Sequence, residues 1–232
     1  MTRPPAAVIR VVEGWQAHGR PRQPAIRWPR ERWLAAFPAS SQALGSLPNH
    51  LDRATVRASC LDAPSSPAAA RHAFLVAMAW GYGTVGYGPW RTARILQESP
   101  NAPDRLAKVA QHLSSRGALD AYGLLGGNCR LRELGPAFGT KYLYFCPQSA
   151  AGPQALIFDR LVAAWLAEHV DVRLNPVPWA PRTYRRYLEL VSSWADALSV
   201  TCEEIEQCIF QARSNEIRNQ WAAKDAGRRK KT

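Results

Sequence analysis

The spacing of apolar residues constrains this chain most, because it follows the period of the α-helix almost throughout. The clearest example is the segment 183–198, whose apolar residues lie one turn apart: Tyr184, Tyr187, Leu188, Val191, Trp194 and Leu198. Alternating apolar and polar residues, which would indicate strands, are almost absent. The sequence therefore predicts an all-α, mostly helical fold.

Breaks rich in Gly, Pro and Ser divide the chain into helical segments. The helix over 67–80 is apolar nearly all round, which is typical of a buried helix. Thr201 and Glu204 have the spacing of a capping box at the start of the last helix. The predicted helices cover residues 29–37, 50–61, 67–80, 89–98, 103–116, 118–125, 159–169, 183–198 and 201–214. We expect a loop over 38–49.

The resulting organisation has three parts. Residues 1–28, which are rich in Pro and Arg, are expected to form an irregular basic lead-in. Residues 29–214 form the helical domain, and residues 215–232 a basic tail that ends in Arg228, Arg229, Lys230 and Lys231. Because positive charge is clustered in this tail and the tail has no apolar period, we expect it to add phosphate contacts that are not base-specific.

The chain is strongly basic, with 30 Lys and Arg against 18 Asp and Glu and a net charge of +12. Residues 1–60 alone contain nine Arg against three acidic residues. Such a chain is attracted to polyanions, of which nucleic acids are the commonest. A charged surface that only keeps the chain in solution is the alternative.

The five Cys residues are odd in number, and no pair has CxxC spacing. This pattern argues against a disulfide framework and against a zinc site, so we expect free thiols, no metal and no cofactor. The N-terminus lacks the apolar core of a signal peptide, and no apolar run has the length of a membrane span. We therefore expect a cytoplasmic monomer with no membrane partner.

The sequence LGPAFGTK, which ends at Lys141, combines the features of a tight hairpin between two helices. Gly135 and Pro136 are expected to end the first helix, and Gly139 to allow a positive φ or a close backbone approach. Thr140 can then cap a second helix that begins at Lys141. Such a hairpin presents backbone N–H groups to a phosphate, although an ordinary turn between packed helices has the same signature.

This hairpin and its surroundings resemble the helix-hairpin-helix DNA glycosylases, and among them the lysine-bearing 8-oxoguanine DNA glycosylases. Gly139, Thr140 and Lys141 match the end of that family's hairpin. Asp159 follows Lys141 by 18 residues, at the start of the next predicted helix, as the family's catalytic Asp does. The resemblance is clearest over about residues 126–170.

The resemblance implies two helical lobes with a cleft, with Lys141 as the nucleophile and Asp159 as the partner carboxylate. It implies double-stranded DNA with a flipped base as the partner. The chain departs from the family in having Ala137 where the hairpin has its first Gly, and it lacks the four Cys ligands of the iron–sulfur cluster of some relatives. The DNA-binding hairpin lies at about residues 128–146 and would include Gly135, Pro136, Phe138, Gly139 and Thr140.

The chemistry of an amine and a carboxylate also favours Lys141 and Asp159 as the catalytic residues. Breaking an N-glycosidic bond builds positive charge on the sugar, which a nearby carboxylate stabilises. A neutral amine can attack the same carbon and hold the sugar as a Schiff base. Burial and the N-terminus of a helix both favour the neutral amine that this attack requires. The alternatives are that Lys141 is a solvated surface lysine and that Asp159 only caps a helix.

The Gly-Tyr cluster over residues 80–90 is the candidate wall of a pocket for the flipped base. Its glycines permit close approach of the backbone to a base, and its aromatic rings permit stacking on that base. The equal alternative is that these rings pack into the protein core. The pocket candidates are Trp80, Tyr82, Tyr87 and Trp90.

Two substrates stay open for a glycosylase that excises a base and nicks the strand through a Lys141 imine. One is a damaged purine such as 8-oxoguanine, and the other is a modified base of the kind carried by phage DNA, in genome defence. A non-catalytic helical DNA-binding module is the alternative from another class, but such a module would need neither Lys141 nor Asp159 at these positions.

Overall fold

The computed structural model describes residues 3–150 and 152–229, with side chains up to residue 219. These residues form twelve α-helices, a short 3-10 helix at Pro38–Ser40, and two strands, β1 (Ile26–Arg27) and β2 (His50–Leu51), that pair antiparallel. The all-α prediction is confirmed. The helices are α1 (Ala6–Ala17), α2 (Arg30–Ala36), α3 (Ser41–Gly45), α4 (Arg53–Ser59), α5 (Pro67–Tyr82), α6 (Gly88–Gln97), α7 (Ala102–Arg116), α8 (Ala118–Gly126), α9 (Pro136–Phe145), α10 (Arg160–His169), α11 (Pro181–Leu198) and α12 (Cys202–Arg229).

Helix α5 forms the centre of the fold, as its all-round apolar sequence predicts. Every residue from Ala73 to Trp80 is buried, and the helix packs against α4, α6, α7 and α9. Ser66 caps its start by accepting a hydrogen bond from the Ala69 N–H. The buried apolar residues of the described chain form one continuous cluster, and the division into two lobes stays a prediction. No described helix has both the length and the apolar character needed to cross a membrane.

Helix ends that depend on local signals lie where the sequence predicts them. Gly117 ends α7 with a φ of 90°, a left-handed conformation that glycine adopts without strain. The Thr201 N–H donates to the Glu204 carboxylate at 2.7 Å, and the Glu204 N–H donates to the Thr201 hydroxyl at 3.2 Å. This reciprocal capping box starts α12.

Two segments expected to be irregular contain helices. The lead-in over 1–28 includes α1, which packs against α12 and buries Val8 and Val12 one turn apart. The expected loop over 38–49 includes the 3-10 turn and α3, which buries Leu44. The predictions were wrong here because Pro and Ser are typical of loops, whereas these helices depend on short apolar stripes that are stabilised by long-range packing.

The last helix also extends beyond its predicted end near Ser214. Helix α12 continues to Arg229, so most of the expected tail over 215–232 is helical. Near the predicted boundary, Arg213 forms ion pairs with Glu168 on α10 and Glu216 on its own helix. These pairs show how charged residues support a helix without an apolar period. Lys230 and Lys231 lie outside the described residues.

The predicted hairpin differs from the observed one in where its helices begin and end. The first helix, α8, ends at Gly126 rather than near Leu134, and residues 127–135 form the connecting turns. Gly135 is the N-cap of α9 and Pro136 is its first residue, so the pair starts a helix instead of breaking one. Proline is favoured at that first position, where its missing N–H costs nothing. Thr140 therefore lies inside α9 and is not its cap.

Candidate active site

Lys141 and Asp159, the two residues proposed for catalysis, form a buried ion pair. Lys141 is the sixth residue of α9, and its Nζ lies 3.1 Å from Asp159 Oδ2. The two side chains are only 10% and 13% exposed. The expectation of a solvated surface lysine is therefore wrong, and so is the placement of Lys141 at a helix N-terminus, since α9 begins five residues earlier.

Asp159 occupies the N-cap of α10, as predicted. Its Oδ1 accepts hydrogen bonds from the Leu161 and Val162 N–H groups, which leaves Oδ2 for Lys141. Burial acts to raise the pKa of the Asp159 carboxyl, but the Lys141 ammonium and the two N–H groups outweigh it and lower that pKa below its usual value. The carboxylate thus stays ionised inside the protein, with its negative charge held against the amine.

The chain reaches Asp159 through an extended segment, residues 155–158, that lies in no sheet of the described structure. Its residues are all buried, so its backbone groups need partners within the protein. The Gln148 side chain binds both the N–H and the carbonyl of Ala155. The Tyr184 hydroxyl accepts from the Leu156 N–H at 3.1 Å and donates to the Leu156 carbonyl at 2.9 Å.

The second half of this segment is held in the same way. The Tyr187 hydroxyl donates to the Ile157 carbonyl at 3.0 Å, and the Phe158 N–H donates to the Thr140 hydroxyl at 3.1 Å. Thr140 and Lys141 are neighbours on α9, while Phe158 and Asp159 are neighbours on the segment. One hydrogen bond therefore sets the two chain regions beside each other at the place where the ion pair forms.

Replacing Thr140 by Val tests this hydrogen bond, because Val keeps the branched shape and loses the hydroxyl. The Phe158 N–H would be buried without a partner, and we expect the free energy of unfolding to fall by about 1–3 kcal/mol. Denaturant unfolding measures the change. Thr140→Ser is the matched control: it keeps the hydroxyl and should retain more stability than Val. A Val variant as stable as the Ser variant would contradict the role of the hydrogen bond.

Gly81, near the end of α5, lies directly against the Lys141 side chain. A Cβ at this position would lie 2.9 Å from Lys141 Cδ and 3.0 Å from Phe138 Cε1. A side chain larger than hydrogen would therefore push the lysine stem or the phenylalanine ring out of place. The Gly-Tyr cluster thus approaches the Lys141 side chain closely at its first glycine, and its role as the wall of a base pocket stays a prediction.

A row of aromatic rings leads from the surface to the buried amine. Tyr87 is 61% exposed, and its ring meets that of Tyr82 edge-on with centroids 5.7 Å apart. Tyr82 is buried and stacks on Phe138 at 4.2 Å. The Lys141 Nζ lies 5.3 Å from the centre of the Phe138 ring. We name these three rings, Tyr87, Tyr82 and Phe138, the aromatic row.

Three further pocket and hairpin candidates, Trp80, Trp90 and Gly139, have different surroundings. Trp80 packs in the core, edge-on to Phe145 at 4.9 Å, whereas Trp90 is 58% exposed on α6. Gly139 faces Trp179, since a Cβ there would lie 2.3 Å from the indole ring. The close approach at Gly139 is therefore made by the Trp179 side chain, and the DNA-binding role of the hairpin stays a prediction.

Sequence reasoning missed the hydroxyl partners of the extended segment and a second buried ion pair. In the sequence, Tyr184 and Tyr187 were identified only as part of an apolar helix face. A buried tyrosine hydroxyl usually has a hydrogen-bond partner, and this is the signal that could have indicated their role. Arg53 Nη1 lies 2.6 Å from Glu206 Oε2, with side chains 8% and 0% exposed. The two residues are far apart in sequence, and no local pattern indicates that they meet.

One group of side chains in the described structure has the proximity of metal ligands: Glu168, His169 and Glu216. The group lies near the surface, and Arg213 already pairs with both of its carboxylates. The guanidinium draws both carboxylates towards it, so their proximity is explained without a metal ion. The group includes neither Lys141 nor Asp159.

Comparison with known families gives one match. A family model described as "Putative 8-oxoguanine DNA glycosylase OGG-like protein" matches residues 19–210, which include Lys141 and Asp159. No curated protein and no solved structure matches the chain. The family's described activity implies DNA as the partner, in agreement with the basic composition. With its all-α fold and a match over most of its length, the chain belongs to the OGG-like family that this model describes.

Proposed function

We propose that the chain excises a damaged base, 8-oxoguanine, from duplex DNA, with Lys141 as nucleophile and Asp159 as electrostatic partner. The observation that carries the proposal is the buried ion pair, with 3.1 Å between Lys141 Nζ and Asp159 Oδ2. Few lysines are buried in proteins, and a buried amine beside a carboxylate in a DNA-binding chain has the parts that glycosidic cleavage needs.

Asp159 would stabilise the positive charge that develops on the sugar as the bond to the base breaks. Its lowered pKa supports this role, since only the ionised carboxylate attracts the sugar cation. The helix N–H groups that hold Oδ1 fix the carboxylate before substrate arrives. Such preorganised charge costs no rearrangement at the moment of reaction.

Lys141 would act both as a proton donor and as a nucleophile. Attack on the sugar requires a free lone pair on Nζ, so a proton has to leave the amine first. The departing base takes the electron pair of the broken C1′–N bond and accepts a proton from Nζ. The lone pair left on Nζ then bonds to C1′. The C1′–O4′ bond breaks as a proton moves from the nitrogen to O4′ and the C=N bond forms, which gives an imine that permits strand cleavage.

The flipped base would reach Nζ along the aromatic row. The Lys141 side chain is only 10% exposed, so a base gains contact only where a neighbouring ring moves. Phe138 is half-buried and stacked on Tyr82, and separating this stack would open a slot beside Nζ with a ring on either face. Aromatic faces stack on any base and so support a target that has left the duplex.

Excision is tested with duplexes that carry one 8-oxoguanine opposite cytosine, with an undamaged duplex of the same sequence as control. We expect strand cleavage of the damaged duplex alone, before alkali treatment if the imine forms and only after it if the base is simply removed. Parallel duplexes with other modified bases test the alternative substrate. A protein that binds all of these duplexes and excises no base would instead be a non-catalytic binding module.

A further inference from the structure

An open cleft of about 720 Å³ lies between the β1–β2 pair, the start of α2 and the turn that follows α5. Its lining includes three arginines, Arg27, Arg30 and Arg32, and a single acidic residue, Glu31. Arg27 and Arg32 are exposed to solvent. We name this the arginine cleft.

The arginines of this cleft are not neutralised. Among the described side chains, none of the three has a carboxylate oxygen within the 4.0 Å of an ion pair; Arg30 donates to the Asn49 amide oxygen instead. A second cleft of about 550 Å³ is different, because three of its four arginines have acidic partners. Its pairs are Arg20–Glu204, Arg53–Glu206 and Arg57–Glu203, which leaves Arg22 without one among the described side chains. The arginine cleft therefore offers three unpaired guanidinium groups to an anion, against one in the second cleft.

The turn beside the arginine cleft exposes apolar side chains. Val85 and Tyr87 on this turn are 41% and 61% exposed, and Trp90 at the start of α6 is 58% exposed, which together leave several apolar side chains close in sequence open to solvent. Arg32 packs against the same turn, since a Cβ at Gly86 would lie 2.6 Å from its Nη1. Arginines beside exposed rings suit nucleic acid, whose phosphates bind the cations while the rings contact sugars and bases.

We propose that the arginine cleft binds backbone phosphates of duplex DNA beside the target nucleotide, with Tyr87 facing the adjacent bases. The inference rests on the proposed function, because it takes the Lys141 amine as the end point of the flipped base. Tyr87 is the outer member of the aromatic row, and Thr84, three residues before it in the same turn, lines the cleft. A duplex held in the cleft therefore lies at the outer end of the path to the amine.

The test measures binding of undamaged duplex as a function of salt, so that no excision is required. Arg27→Gln with Arg32→Gln should weaken binding about tenfold or more at 0.1 M salt, the effect expected for losing charge-assisted hydrogen bonds. The slope of log affinity against log salt should fall by about 1.8, since each lost phosphate contact contributes about 0.9. Arg27→Lys with Arg32→Lys keeps the charge and should keep most of the slope.

The matched control is Arg20→Gln with Arg57→Gln, which removes the same charge from the second cleft, where both arginines already have carboxylate partners. Its slope should stay at the value of the unaltered protein. Equal losses in the two double variants would mean that net charge alone attracts DNA, and would overturn the inference. A protein that binds DNA with the expected slopes but excises no base would keep the inference and remove the proposed function. A protein that binds no duplex would overturn both.

Discussion

Lys141→Gln is expected to abolish the covalent adduct that borohydride forms between the protein and a duplex containing its target base. Borohydride reduces an imine to a stable amine, and glutamine cannot form an imine. The Gln amide can still donate a hydrogen bond to Asp159, so the fold and the DNA affinity should change little by comparison. Gel separation of adduct from free protein measures trapping, and denaturant unfolding measures the fold.

Lys108→Gln provides the control for this experiment. Lys108 is an exposed lysine on α7. The chain has four lysines besides Lys141, and Lys108 is the one whose side chain the structure describes. Trapping should persist in this variant at the rate of the unaltered protein. Trapping that survives in Lys141→Gln would show that another amine attacks the sugar, and would remove Lys141 from the mechanism.

Asp159→Asn should lower the excision rate by about 10²-fold or more, the size of effect that follows removal of a preorganised charge. Asparagine can still accept the two helix N–H bonds, so the cap of α10 is largely retained. Single-turnover excision measures the rate. Asp52→Asn is a close control, because Asp52 caps α4 in the same way through Thr55 and its pKa is also lowered. That variant should lose some stability and keep its excision rate.

The same substitution should alter the pH dependence of stability. The folded-state pKa of Asp159 lies below its usual value of 3.8, so the carboxylate contributes stability that is fully present above that value. The contribution is lost as pH falls through the lowered pKa. Asp159→Asn should therefore be less stable than the unaltered protein at neutral pH and approach it in acid. An unchanged excision rate together with this loss of stability would leave Asp159 as a helix cap only.

The sequence predicted the features that depend on residues close together in the chain. The buried helix α5, the cap at Asp159 and the capping box of Thr201 and Glu204 all follow from short-range spacing. The meeting of Lys141 with Asp159 was predicted only through the family resemblance, because no periodicity connects residues 18 positions apart across an irregular segment.

Other features depend on packing that a single sequence does not reveal. Helix α1 is stable because Val8 and Val12 are buried against α12 at the other end of the chain. The start of α9 at Pro136 was missed because Gly followed by Pro marks helix starts and helix breaks alike. The partners of the segment 155–158 come from α9, α11 and Gln148, and hydroxyl groups give no sequence signal for the backbone atoms that they bind.

The way this segment is held has an evolutionary consequence. Its bonds run to backbone atoms, and those atoms are present whichever amino acid occupies a position. Residues such as Leu156 can therefore be exchanged among apolar types of similar size, while Thr140 and Tyr184 cannot lose their hydroxyls without leaving backbone groups unpaired. We therefore expect selection for the position of Asp159 to act mainly on residues distant from it in sequence, and the stretch just before the aspartate to diverge among relatives that keep the Lys141–Asp159 ion pair.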